Sequence, residues 1–123
     1  MRRDINYLRE LLLAMEASDQ FAFVDPLHQQ SPPEEIKKSY HLRLATDAGL
    51  LVTDGRFMPK GRGTLRMTSA GHDYLDAIRN EGIWADTKKA VKEGGGSATL
   101  EIVKLIAIGF IRKQLKERAE IEI

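Results

Sequence analysis

The sequence predicts a mainly α-helical protein with one small antiparallel β-hairpin or sheet, and three observations support that prediction. Apolar residues recur at steps of three and four over several long stretches, as they do along the buried face of a helix. Two short apolar runs flank a basic segment that contains glycine, which is the pattern of a β-hairpin. One helical stretch precedes the hairpin and another follows it. Because this order is that of a winged helix, we expect a winged-helix-like domain over residues 1–93 and a C-terminal helix over residues 97–120.

The composition is that of a soluble globular protein. The chain has 123 residues, of which 42% are hydrophobic and 30% are charged, so it suits one domain with one core. It contains no cysteine, which excludes disulfides and thiolate chemistry and favours a reducing cytoplasm. Its longest apolar run, Leu105–Ile111, is far shorter than the roughly 20 residues of a membrane span. The net charge is only +1, so a nucleic-acid prediction depends on where the charges lie.

The first part of the chain predicts a helix and a short strand. The helix covers Asp4–Ala17, with Asp4 as its N-cap or first-turn acid. Its apolar residues at helical spacing are Ile5, Leu8, Leu12 and Met15. Phe21–Val24 is predicted as a strand that joins the hairpin as its third member. The separate short helix of most winged-helix domains has too little room between Pro26 and Pro33.

The second helix is predicted over Pro33–Ala48, with proline at its start and Gly49 at its end. It has apolar residues on two sides, so we expect it to pack on more than one neighbour. One row consists of Ile36, Tyr40, Leu44 and Ala48, and the other side carries Leu42 and Ala45. Between them are four basic residues or histidines, namely Lys37, Lys38, His41 and Arg43. These either contact DNA or form a solvated face beside neighbouring acids.

The predicted hairpin pairs Leu50–Val52 with Leu65–Met67 and carries basic residues without any acid between Arg56 and Arg66. The cations of this wing are Arg56, Lys60, Arg62 and Arg66. Gly61 and Gly63 lie in its tip. A phosphate-binding loop would need a strand, loop and helix ending in Lys-Thr, so we expect a flexible wing tip instead.

The second half of the chain predicts three helical segments. The first covers Thr68–Asn80 and is capped by Thr68 or Ser69, and the second runs from Ile83 to about Glu93. Trp84 is expected to be a packing anchor. We also expect five residues of different elements to form one buried cluster, namely Leu8, Leu42, Leu50, Leu75 and Ile78.

The last helix is predicted from about Ala98 to Ala119, after a glycine break, with Ser97 as its N-cap. It is apolar nearly all round from Leu100 to Ile111, and a helix of that kind must be buried on every side. We therefore expect a homodimer through this helix; the alternative is that the helix folds back fully into its own domain. The predicted interface consists of Leu100, Val103, Leu105, Ala107, Ile108 and Phe110.

No catalytic residue, metal site or cofactor is predicted. The three histidines, His28, His41 and His72, fall in different elements, and no spacing of metal ligands such as His-x-x-x-His is present. No nucleophile with a base and no pair of carboxylates suggests an active site. The sequence therefore indicates a protein that is not an enzyme.

Four stretches resemble a bacterial and phage family known as domain of unknown function 2513. They are Met1–Ile5 with the leucine-rich helix after it, Tyr40–Leu51, Met67–Arg79 and Ile83–Trp84, and together they span nearly the whole chain. More distantly, His41–Leu51 resembles the end of the recognition helix in ArsR- and MarR-like repressors. Met67–Leu75 is similar to the segment after their wing. These resemblances imply a winged-helix fold and, by analogy alone, no particular activity.

Together these patterns favour a dimeric DNA-binding transcriptional regulator with a helix-turn-helix of the winged type. In this hypothesis the second helix enters the major groove of double-stranded DNA with Lys37, Lys38, His41 and Arg43, and the four wing cations hold phosphates. The alternative is a non-catalytic winged-helix module that binds another protein in a phage or defence system. The basic wing favours the first hypothesis, and the nearly neutral chain favours the second.

Overall fold

A computed structural model describes residues 1–18, 23–24, 33–58 and 62–121, and it describes side chains in 1–18, 33–53 and 65–119. The described residues form five helices and three strands in a mainly helical fold with one small antiparallel sheet, as predicted. In chain order they are α1 (Ile5–Ala17), β1 (Phe23–Val24), α2 (Pro33–Asp47), β2 (Leu51–Met58), β3 (Arg62–Met67), α3 (Ser69–Ile78), α4 (Glu81–Glu93) and α5 (Leu100–Ile121).

The chain forms two compact units, Met1–Asp73 (unit 1) and Tyr74–Ile123 (unit 2), with the boundary inside α3. This division differs from the predicted one, which placed residues 1–93 in one domain and 97–120 in a separate element. The reason is that α4 packs on α5 within unit 2. None of the helices in the described part of the chain is long and apolar enough to cross a membrane.

The sheet of unit 1 has the strand order β1-β3-β2, and both pairings are antiparallel. Phe23 of β1 pairs with Leu65 of β3, and Leu51 of β2 pairs with Met67 of β3, so β3 is the central strand. The prediction that the strand before α2 joins the hairpin is thereby confirmed for Phe23–Val24. The register shifts between Thr53 and Phe57, and Leu51 and Leu65 are both buried.

Helix α1 begins where predicted, because the Asp4 carboxylate accepts a hydrogen bond of 2.9 Å from the Tyr7 N–H and caps the helix. Its buried residues include Leu8, Leu12 and Met15, spaced at four and three. Arg9 is buried as well, although the apolar spacing places it on another face. Its guanidinium lies 3.0 Å from the Glu10 carboxylate, so the buried side of α1 is wider than its apolar stripe.

Helix α2 has one buried face, formed by Ser39, His41, Leu42 and Ala45. The predicted burial of a second row is wrong for Ile36 and Tyr40, which are 39% and 37% exposed, and for Ala48. Apolar and charged residues alternate irregularly along this helix, so the sequence pattern does not distinguish its faces. The structure does, and it turns the row that begins at Ile36 toward solvent.

The end of α2 and the start of α3 are joined by a compact set of backbone contacts. Gly49 has φ +81°, and the N–H groups of Gly49 and Leu50 donate to the carbonyls of Thr46 and Ala45, which is a Schellman motif. Thr68 then joins the two helices. Its N–H donates to the Leu50 carbonyl at 2.9 Å, and its hydroxyl donates to the Gly49 carbonyl at 2.6 Å.

The same hydroxyl accepts from the Gly71 N–H at 3.0 Å, so Thr68, and not Ser69, caps α3. Gly71 is needed because α3 approaches Leu50 closely. A Cβ at position 71 would overlap the Leu50 carbonyl oxygen and come within 2.6 Å of the Met67 Cγ. We call this set of contacts among Gly49, Leu50, Thr68 and Gly71 the helix joint.

In unit 2, α4 is capped by Asn80, whose side chain accepts from the Ile83 N–H at 3.0 Å. Trp84 is 2% exposed, as expected of a packing anchor. The predicted N-cap of α5 is wrong. Thr99, and not Ser97, accepts from the Ile102 N–H at 3.2 Å, and α5 begins at Leu100.

The five residues predicted for the core, Leu8, Leu42, Leu50, Leu75 and Ile78, are all buried.

We expect Gly71→Ala to lower the free energy of unfolding by about 1–3 kcal/mol, because the added methyl group forces α3 away from the Leu50 carbonyl. Ser69→Ala is the matched control in the same helical turn. Ser69 is exposed, so its change should stay within about 0.5 kcal/mol. Urea denaturation measures both, and equal stabilities would show that α3 does not lie this close to Leu50.

Candidate nucleic-acid interface

The four residues that α2 was predicted to present to DNA do not form one surface. Lys37 and His41, one turn apart, both point to the start of α1. Arg43 is exposed and lies on the side of Tyr40, three residues earlier. Lys38 is also exposed, but it lies two residues from Tyr40, and residues two apart on a helix face different ways. The predicted cluster is therefore divided among three directions.

His41 is buried, so its predicted role in reading DNA is wrong. Its Nε2 accepts a hydrogen bond of 2.9 Å from the backbone N–H of Asp4. Nε2 therefore carries no proton, and Nδ1 carries the proton that it donates to the Lys37 carbonyl at 2.8 Å. The ring also meets the edges of two tyrosine rings, Tyr7 at 4.8 Å and Tyr40 at 5.8 Å between centroids. His41 thus connects α2 to the N-cap residue of α1.

Lys37 belongs to the same contact region. Its Nζ lies 3.5 Å from the Asp4 Oδ2 and 4.5 Å from the centroid of the Tyr7 ring. Both charged side chains remain 40–47% exposed, so the ion pair contributes little stability. We call Asp4, Tyr7, Lys37 and His41 the α1–α2 junction. The ammonium group of Lys37 is already paired with the Asp4 carboxylate, so Lys37 would have to release Asp4 to bind phosphate.

The electrostatics of this junction follow from its contacts. The backbone N–H of Tyr7 donates to the Asp4 carboxylate and lowers the pKa of that group; burial partly opposes this, and Lys37 adds to it. Burial raises the pKa of the Tyr7 phenol, and the negative charge of Glu34 raises it further. The phenol therefore stays protonated and the carboxylate stays charged at neutral pH.

The side of α2 that faces away from its buried residues carries Ile36, Tyr40, Arg43 and Asp47. These residues recur at steps of four, three and four, and all are exposed. We call them the α2 outer face. Sequence analysis missed this face because it treated Ile36 and Tyr40 as core. The signal that identifies it is the spacing of three between Leu42 and Ala45, which places the buried face on the opposite side.

The wing residues are described unequally. Arg66 is half-buried in β3, opposite Val52 of β2. Arg56 and Arg62 lie in strands β2 and β3, but their side chains are outside the described residues. Lys60 falls outside the described part of the chain, as does most of the segment from Pro26 to Pro33, where we expected too little room for a separate short helix. The DNA contacts of the wing cations stay predictions.

The predicted dimer residues of α5 divide into two groups. Leu100, Val103 and Ala107 are buried within the chain, and Phe110 and Ile108 are half-buried. Leu105 is 59% exposed. The first three therefore have almost no surface left for a partner, and the predicted interface needs correction at those positions.

Two further features bear on chemistry. An open groove of about 440 Å³ between α4 and α5 carries acids and bases in similar numbers, among them Asp86, Lys89, Lys113 and Glu117. His72 lies 3.1 Å from the Glu16 carboxylate, so it joins α3 to α1. In the described residues, no three of the side chains His, Asp and Glu are grouped to hold a metal ion.

Comparisons with known proteins give the following relations. The family model described as "Hypothetical protein (DUF2513)" matches residues 2–97. The chain is also similar to a protein of Haemophilus influenzae (strain ATCC 51907 / DSM 11121 / KW20 / Rd) that is named "Uncharacterized protein". The two are 27% identical over 119 residues, which cover 94% of this chain and 99% of the relative. No solved structure matches the chain.

His41→Ala should lower the free energy of unfolding by about 1–3 kcal/mol, because the part-buried Asp4 N–H loses its acceptor and the buried imidazole leaves a cavity. His41→Gln should recover part of this loss, since a glutamine oxygen can accept the same hydrogen bond. Lys38→Ala, at an exposed position of the same helix, serves as control and should change stability by less than about 0.5 kcal/mol. Urea denaturation decides; a neutral His41→Ala would contradict the α1–α2 junction.

Asp4→Asn keeps an oxygen to cap α1 but removes the charge. Because folding lowers the pKa of Asp4 below its ordinary 3.8, the stability from this charge is complete above that value and is lost as pH falls through the lowered pKa. We expect the variant to be less stable than wild type by about 0.3–1 kcal/mol at neutral pH. In thermal unfolding the difference should shrink toward zero as the pH falls through the lowered pKa of Asp4. A difference independent of pH would rule out the charge as its cause.

Proposed function

The chain belongs to the DUF2513 family, and we propose that its unit 1 is a winged-helix module that binds double-stranded DNA in a transcriptional regulator. The observation that carries this proposal is the order of elements around the hairpin. Helix α2 is followed directly by β2 and β3, and β1 pairs with β3 on the other side, giving the order β1-β3-β2. A helix that leads into a hairpin extended by the preceding strand is the arrangement of winged-helix readers.

Charge on the hairpin supports the same proposal. From Arg56 to Arg66 the sequence contains four cations and no acid. A two-stranded hairpin with this composition attracts phosphates, and Arg and Lys side chains supply most contacts of this kind. The net charge of +1 for the whole chain means that the hairpin is locally basic in an otherwise balanced protein.

The second support is the α2 outer face. Because His41, Leu42 and Ala45 lie on the buried side of the helix, Tyr40 and Arg43 are directed outward, together with Ile36 and Asp47. Arginine recognises guanine edges, and tyrosine binds phosphates through its hydroxyl. We therefore assign base contacts to Arg43 and phosphate contacts to the wing. His41 is not among the residues that we propose to contact DNA.

The test is the salt dependence of duplex binding. We expect Arg62→Ala to weaken binding to all sequences and to reduce the slope of log affinity against log salt by about 0.9. Arg43→Ala should instead change which sequences are preferred. Lys92→Ala is the matched single-charge control in α4 of unit 2 and should leave both properties unchanged. Fluorescence anisotropy with random and selected duplexes measures each, and absence of binding by the folded protein at low salt contradicts the proposal.

A second candidate is a protein–protein interaction module. The specific observation in its favour is that Ile36 and Tyr40, one turn apart, leave more than a third of their surfaces exposed beside Arg43. Tyrosine and arginine are the residues that most often anchor protein interfaces. In that case Tyr40→Ala should abolish partner binding, while Arg62→Ala should not affect it.

A further inference from the structure

Helix α5 carries an exposed apolar stripe that is separate from its buried face. Leu105 and Leu115 are 59% and 60% exposed, and Ile108 between them is half-buried. The buried residues Leu100, Val103 and Ala107 lie on a different side. We call Leu105, Ile108 and Leu115 the α5 stripe; it replaces the interface predicted from the sequence.

The spacing of the α5 stripe is that of a coiled-coil seam. Leu105, Ile108 and Leu115 lie three and then seven residues apart, and Arg112 and Ala119 continue the alternation of three and four. This period of 3.5 residues keeps a seam facing one partner helix along its length. From Arg112 to Ala119 every side chain is exposed, so this half of α5 is largely open to solvent in the part of the chain that the structure describes.

We propose that the α5 stripe packs against the α5 stripe of a second copy of this chain, in antiparallel orientation. The distribution of charge along α5 favours a second copy as the partner and an antiparallel orientation of the two helices. Residues 100–111 contain one acid and one base, Glu101 and Lys104, whereas residues 112–119 contain four cations and the single acid Glu117. A parallel pair would place the two basic halves together; an antiparallel pair places each basic half beside the neutral half of the other copy.

The register follows from the seam positions. An antiparallel pair that is centred at residue 110 sets Leu105 opposite Leu115 of the second copy, and Ile108 opposite Arg112, whose aliphatic stem covers it. Glu101 then lies within one turn of two cations of the other helix, Lys116 and Arg118. Gly109 falls beside the two-fold axis. It is exposed and a Cβ there would meet nothing within 4 Å, so the backbones can approach each other at the crossing.

This pairing uses residues of unit 2 alone and is independent of DNA binding by unit 1. Light scattering of the whole chain should show a dimer at tens of micromolar. The double variant Leu105→Lys, Leu115→Lys should be monomeric and retain its helical circular dichroism. Ala85→Lys, at an exposed alanine of α4, is the control and should leave the dimer intact. A monomeric wild type, or a dimer that survives the double variant, overturns the proposal.

Cysteine crosslinking tests the relative orientation of the two helices. Because the chain contains no natural cysteine, each variant carries only the introduced thiol. Leu105→Cys mixed with Leu115→Cys should give the mixed disulfide, because the two positions face each other. Leu105→Cys alone should not crosslink efficiently, since in an antiparallel pair its two copies are ten residues, or about 15 Å, apart along the helix, beyond the Cα separation that a disulfide spans. Efficient crosslinking of Leu105→Cys to itself would show a parallel pair and overturn the proposed orientation.

Discussion

The helix joint is the constraint on which the rest of unit 1 depends. One threonine, Thr68, satisfies three backbone groups that would otherwise be left at the ends of α2 and α3, through its hydroxyl and its own N–H. The left-handed Gly49 turns the chain out of α2, and Gly71 lets α3 approach the Leu50 carbonyl. Since β2 begins at Leu51 and β3 ends at Met67, the joint also closes the base of the hairpin and sets where the wing leaves the helices.

A second constraint, the α1–α2 junction, decides which side of α2 faces solvent. Burial of His41 beside Leu42 and Ala45 fixes the rotation of the helix about its axis. The outcome is a surface with an aromatic residue, an isoleucine, an arginine and an aspartate, which is less basic than the predicted cluster. In the DNA-binding function that we propose, the hairpin is therefore assigned most of the affinity, and α2 is assigned the selectivity.

Sequence patterns predicted the local features well, because those features are decided within a few residues. The Asp4 cap and the stop at Gly49 follow from short-range chemistry. The pairing of Phe23–Val24 with β3 was expected from the order of the elements, and the burial of Trp84 from the size of its apolar side chain. The predictions failed where the outcome depends on distant contacts. His41 was assigned to DNA because the N–H that it accepts from belongs to a residue 37 positions earlier. The cap of α5 was misplaced because Ser97 and Thr99 offer the same hydroxyl, and the spacing of apolar residues does not say which of the two begins the helix.

The tryptophan of this chain and two of its tyrosines lie in different units, so their fluorescence arises from different parts of the molecule. Its single tryptophan, Trp84, is buried and belongs to unit 2, whereas Tyr7 of the α1–α2 junction and Tyr40 of the α2 outer face belong to unit 1. Tryptophan emission excited at the red edge therefore reports on the surroundings of this one side chain. Because neither the α2 outer face nor the wing contains a tryptophan, this emission follows the folded state around Trp84 without an added label.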